Sequence, residues 1–217
     1  MKKYSVFELI GIGIALLLIC IIFSLIGKHV FDLEGDYLSA ASTLFAAVIA
    51  ALLYSDWKVQ HRFTLLDKYH NELKKNISEL FDEVFEISGK VRLVEGSTDK
   101  FVRELYIDLQ KNLKSHNKRL NTTISLISEY QIFINNQEPT GLVVTHSNEL
   151  KSQKKLVMEN LLTLSSALGS NDINEFINTI YGGFSGINAK VLKNMLMIKT
   201  FSDVGLPEFY NLYFEEQ

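Results

Sequence analysis

Residues 37–91 read YLSAASTLFAAVIAALLYSDWKVQHRFTLLDKYHNELKKNISELFDEVFEISGKV, and neither proline nor glycine interrupts them before Gly89. The first 19, Tyr37 to Ser55, carry no charge. At about 1.5 Å per helical residue they cover roughly 29 Å, the thickness of a bilayer core. From Val59 onward the pattern changes. Val59, Phe63, Leu66, His70, Leu73, Ile77, Leu80, Val84, Ile87 and Val91 follow one another at spacings of four and three without a slip, which is a heptad seam. The stretch therefore predicts one helix that begins as a membrane span and continues as an amphipathic rod. β-Branched residues sit mostly at one seam position and Leu at the other, the preference of a parallel two-stranded coiled coil. Phe81 and Phe85 lie off the seam and widen the apolar face, which suits a bundle with later helices of the same chain. Sequence leaves both pairings open.

Upstream, Leu9 to Gly27 (LIGIGIALLLICIIFSLIG) is a second uncharged run of 19 residues and predicts a first span. It is too long for the apolar region of a signal peptide, and no small-x-small cleavage site follows before Lys28. Lys2 and Lys3 precede this span, Lys58 and Arg62 follow the other, and Asp32, Glu34 and Asp36 outweigh Lys28 in the loop between. Positive residues at the outer ends predict a multi-pass protein with both termini cytoplasmic and the acidic loop outside. Trp57 and Lys58, with Tyr54 and Tyr4, are expected as interface anchors, and Glu8 suits the first turn of a helix or a polar contact within an oligomer.

Small residues form a face on the second span. Ser39, Thr43, Ala47 and Ala51 recur every fourth position, and Ser42, Ala46 and Ala50 make an adjacent row, so another helix can approach closely. That helix is either the first span, through Gly11 and Ala15, or another copy of the chain. In the second case the protein is a homo-oligomer within the lipid bilayer, and the hydroxyls of Ser39, Ser42 and Thr43 face water if an opening forms.

After the turn VEGSTD, where Ser97 or Thr98 is a plausible N-cap, a second long helix is marked by Val102, Tyr106, Leu109, Leu113, His116, Leu120, Thr123, Ile127, Tyr130 and Ile134. It is expected to return antiparallel along the first. NNQEPTG forms a loop, and a third helix from about Ser147 to Leu168 should bury Leu150, Val157, Leu161, Leu164 and Leu168. LGSND closes it. Shorter helices are predicted at Ile173–Ile180 and Asn188–Lys199, separated by YGGFSG, which is either a plain helix break or a hinge that meets a partner. In the tail, Phe201, Phe209, Tyr210, Tyr213 and Phe214 either dock onto the bundle or form a peptide-like docking segment. The predicted class is all-α, with a transmembrane helical hairpin over residues 1–57 and a cytoplasmic bundle of coiled-coil-like long helices over residues 58–217.

Chemistry is sparse in these 217 residues. The single Cys20 excludes an internal disulfide or a Cys-based zinc cluster, and a net charge of -3 argues against direct nucleic-acid binding. The five histidines have no metal-ligand spacing, Gly11-Ile12-Gly13 lies inside a span, and YGGFSG lacks both a P-loop lysine and the G-x-S-x-G spacing around Ser185. No catalytic residue, cofactor or metal is expected, and the chain is not read as an enzyme. His70 is the polar residue within the first seam, and His116 occupies a similar place on the second helix. Each is either a hydrogen-bonded core histidine that fixes register or, more sharply for His70, a switch that protonation or partner binding would throw.

Gly35 to Arg62, GDYLSAASTLFAAVIAALLYSDWKVQHR, resembles the two-span transmembrane effectors of bacterial anti-phage defence, those of retron systems and related abortive-infection proteins. Gly35-Asp36, the run Ser42-Thr43-Leu44-Phe45-Ala46-Ala47, and Asp56-Trp57-Lys58 followed by Gln60 carry the likeness, over 28 residues. It implies an inner-membrane toxin, silent until infection is sensed, that then damages the membrane and stops phage propagation. It also implies restraint by a partner, either a reverse transcriptase with its RNA-DNA product or another cytoplasmic sensor. A non-toxic membrane-anchored sensor or scaffold, whose bundle binds a cytoplasmic partner, is the alternative expectation.

Overall fold

The computed structural model describes residues 6–30, 37–95, 102–170 and 172–216; the side chains of residue 216 and of several residues between 6 and 56 lie outside the description. Among the described residues seven α-helices follow in order: α1 (Val6–Val30), α2 (Tyr37–Glu95), α3 (Val102–Asn135), α4 (Gly141–Leu168), α5 (Ile173–Ile180), α6 (Ala189–Thr200) and α7 (Leu206–Glu216). A 3₁₀ turn, Gly183–Ser185, precedes α6, and a π turn, Phe201–Gly205, joins α6 to α7. The fold is all-α, with no strand among the described residues. Two compact units divide it, Met1–Leu65 and Leu66–Gln217, and the division falls inside α2 rather than after Trp57.

Both predicted spans coincide with helix. Among the described residues, however, no helix is long and apolar enough to cross a membrane. Each uncharged run contains side chains outside the description, so the two-span hairpin rests on the sequence. Tyr4, Glu8 and the acidic loop also fall outside it, as do the proposed caps Ser97 and Thr98.

In the first unit α1 meets α2 at Phe45. A Cβ placed on Gly13 would lie 3.2 Å from the Phe45 ring, whereas one on Gly11 would meet nothing within 4 Å. Val48, Ile49 and Leu52 are half-buried, and Ala15 is exposed. Among the described residues, Gly11 and Ala15 are thus not packed against the small-residue face.

In the second unit the seam of α2 is filled from the same chain. Leu66, Leu73, Ile77, Leu80, Val84, Ile87 and Val91 are buried, as are Leu109, Leu113, Leu120, Ile127 and Ile134 of α3. Polar contacts set the antiparallel register: Lys90 to Asp108 at 2.7 Å, Asn112 to Glu86 at 3.0 Å and His70 to Tyr130 at 2.8 Å. Moving along one helix means moving back along the other.

α4 runs antiparallel to α3 and starts earlier than Ser147. Thr140 caps it by accepting the Val143 N–H at 3.3 Å, and Pro139 stands just before the cap. Its inner face buries Leu150, Val157 and Leu164 as expected, but not the whole stripe. Leu161 and Leu168 are half-buried, whereas Asn160 and Ala167 are buried. Asn160 tolerates this because its amide is satisfied: it donates to the Val191 carbonyl at 3.2 Å and accepts from Asn194 at 2.9 Å. Asp172, read as part of a closing turn, caps α5 by accepting the Asn174 N–H.

The YGGFSG segment forms a turn around the 3₁₀ element. Gly183 and Gly186 have φ of 66° and 68°, and Gly186 lies against the Ser88 carbonyl and Arg92 of α2, where a side chain would collide. Tail residues Phe201, Phe209 and Tyr213 are buried on the bundle, Tyr210 is half-buried, and Phe214 is exposed.

Candidate functional site

Three helices converge on one buried polar cluster. α2 supplies His70, α3 supplies Tyr130 and α4 supplies His146, each by the same period that buries the leucines beside it. His70 Nε2 lies 2.8 Å from the Tyr130 hydroxyl, which lies 3.0 Å from His146 Nε2. A hydroxyl carries one proton, so it donates to one imidazole and accepts an N–H from the other. Two neutral rings so joined hold complementary tautomers. Phe209 of α7 stacks on His146 with ring centres 3.7 Å apart and planes 5° apart, and Tyr210 lies 5.3 Å from His70.

Burial controls the protonation of this cluster. Loss of water lowers the pKa of His70 to about 4 against the pull of Asp67, and lowers His146 to about 3, helped by His70. The same burial, with Tyr213, lifts Tyr130 well above the usual phenol. At neutral pH the cluster is uncharged. His146 Nδ1 is buried without a hydrogen bond, 3.6 Å from a Glu149 carboxylate oxygen.

His116 belongs to a different arrangement. Its Nδ1 lies 2.9 Å from Glu83, which also accepts from Arg119 Nε at 2.8 Å, and Arg119 reaches on to Glu79. Burial opposes the Glu83 carboxylate, but hydrogen bonds from His116 and Arg119 outweigh it and hold its carboxyl below the usual range. This ion-pair network fastens α2 to α3. Among the described residues no cluster of three or more His, Cys, Asp or Glu side chains is arranged to hold a metal.

Beside His70 a cavity of about 160 Å³ opens between α2 and the α7 region, lined by Asp67, Lys74, Ser202, Leu206 and Tyr210 among others. Ser202, in the π turn, is fully buried, and its hydroxyl has no partner. Sequence reasoning singled out His70 but not its associates. Tyr130 was on the α3 stripe as an apolar position, and His146 preceded the expected start of α4. The available signal was a cap at Thr140 after Pro139, which places His146 one helical turn before Leu150 on the inner face.

The predicted association face lies on α2 within the first unit. Ser39, Thr43, Ala46, Ala47, Ala50 and Ala51 are exposed, and the side chain of Ser42 is outside the description. Thr43 donates its hydroxyl to the Ser39 carbonyl at 2.9 Å, the internal bond a hydroxyl makes on an apolar helix. Trp57 is exposed and stacks on His61 at 5.1 Å, with Lys58 exposed beside it.

Compared with known protein families, curated proteins and solved structures, the chain matches none.

Proposed function

We propose that this chain is an inner-membrane effector of an anti-phage defence system of the retron or abortive-infection kind. On triggering, its spans associate and permeabilise the membrane. The observation that carries the reading is the exposure of the alanine rows: α1 meets α2 at Phe45 while Ala46, Ala47, Ala50 and Ala51 remain exposed. Such a face gives close helix approach without large side chains to move aside. Both termini are placed in the cytoplasm, where the helical unit receives the signal, and α2, which carries both the face and His70, offers a continuous helix along which movement is passed on. A reverse transcriptase with its RNA-DNA product, or another cytoplasmic sensor, supplies the restraint. The chain itself is expected to bind no nucleic acid and to use no cofactor.

Induced expression in a bacterium, alone and with the trigger and neighbouring genes, tests this. Depolarisation and dye uptake are expected to precede growth arrest. Ala47→Leu or Ala50→Leu should abolish killing while the protein is still made and inserted; undiminished killing by both variants removes the face from the mechanism.

A further inference from the structure

The π turn Phe201–Gly205 sets α7 apart from α6. Its widened bond runs from the Leu206 N–H to the Phe201 carbonyl, and the cause is local. Pro207 has no N–H to return to Asp203, and Gly205 leaves room for the Phe201 ring, which would stand 2.8 Å from an added Cβ. A π turn with a proline beside it is where a helix bends. Beyond it α7 has 11 residues, and an isolated helix of under about 12 is marginal in water. α7 therefore depends on its seat. Leu206, Phe209 and Tyr213 are buried there, Phe209 stacks on His146, and Tyr213 donates to Gln137 Oε1 at 3.3 Å. The core of the other helices continues past this seat through Leu80, Leu120, Val157 and Met195.

Seating α7 also has a cost. Ser202 Oγ in the π turn and His146 Nδ1 on the ring under Phe209 are buried without hydrogen bonds, and water satisfies both once α7 lifts. Burial and the like charge of Glu208 on α7 raise the carboxyl of Glu149 on α4. We propose that α7 is a latch hinged at the π turn, which lifts as one unit while α2, α3 and α4 stay folded and so opens the His70–Tyr130–His146 cluster to water.

Acid gives the latch a direction. Seated, His70 faces Tyr130, Asp67, Phe209 and Tyr210, and His146 faces Tyr130, His70, Glu149 and Phe209. Lifting returns water to both rings, so below 6.5 the open form binds more protons than the seated one. Near neutral pH both forms are largely uncharged there. Glu149 works the other way, because protonating it ends its repulsion from Glu208 and favours the seat in stronger acid.

Site-resolved hydrogen exchange of the full chain in detergent micelles, corrected for the intrinsic effect of pH, reads the latch directly. At pH 7 the amides from Phe209 to Tyr213 are expected to share one opening rate, about tenfold or more above the slowest amides of α3 and α4. Low denaturant should hardly change it, since a local opening exposes little surface. Between pH 7 and 5 the opening should rise by about tenfold or more, and His70→Gln and His146→Gln should each flatten that rise. If a variant does not fold, the readings on the parent chain still decide. The latch is overturned if α7 exchanges only with α3 and α4, if its protection declines stepwise toward the chain end as a fraying helix does, or if the rise in acid is absent from the parent or survives in both variants.

Discussion

A tyrosine hydroxyl shared by two neutral imidazoles ties three helices together at a cost that appears only in acid. In the unfolded chain the two histidines titrate near 6.5, whereas in the fold they titrate at about 4 and about 3. Below 6.5 the unfolded chain therefore binds more protons, so stability is full above that pH and is lost as pH falls toward the folded values. For His70 alone, a shift from 6.5 to about 4 corresponds to a loss on the order of 3 kcal/mol at about 1.4 kcal/mol per unit. Melting temperature followed from neutral pH downward should drop through this window, and more shallowly in His70→Gln, which can still hydrogen-bond Tyr130 but does not titrate. A flat profile in the parent protein would show that the rings are not held neutral. This also bears on the expectation of a switch at His70: near neutral pH a proton has little hold on the ring, so a switch there would have to be thrown by a partner and not by protonation. His70 was legible in the sequence because a polar residue interrupted an apolar period. Tyr130 and His146 were not, because their roles arise from contacts 60 and 16 residues apart in the chain.

At the level of elements, period told more than hydropathy. The α2 and α3 stripes were legible because two apolar periods repeat over many turns and each needs a partner. The inner face of α4 was misread where Asn160 enters the core, since nothing in one dimension reveals that Asn194 and a carbonyl of α6 would satisfy it. Glycines separate the same way. Gly186 has a φ of 68° and would drive a Cβ into Arg92 and the Ser88 carbonyl, so Gly186→Ala should cost about 1–3 kcal/mol through strain and collision. Gly89 lies within α2 with nothing within 4 Å of an added Cβ, so Gly89→Ala should stabilise by about 0.5–1 kcal/mol. Denaturant melts of both variants check the pair. Equal shifts would mean that the 3₁₀ turn is not held against α2. Ala50→Leu acts at this scale too, by filling the approach that a second helix would use rather than by altering the fold of its own.

For the whole molecule, the question on the proposed membrane reading is whether the first unit acts or merely anchors. The seam of α2 is filled by α3 from the same chain, so the second unit has a core of its own and needs no second copy to bury it. If copies of the chain associate as proposed, the candidate face is the row of small residues on α2 of the first unit. An effector and a scaffold differ sharply on this point. If the spans act, replacing residues 1–57 with an unrelated two-span hairpin of equal length should abolish killing while leaving the protein in the membrane and the melting of its helical unit unchanged. If they only anchor, the exchanged protein should do everything the parent does. Small-residue packing depends on the individual side chains at Ser39, Thr43, Ala46, Ala47, Ala50 and Ala51, whereas anchoring depends only on length and apolarity. Protection against phage, measured beside membrane localisation in the exchanged chain, therefore decides between the two with the helical unit held constant.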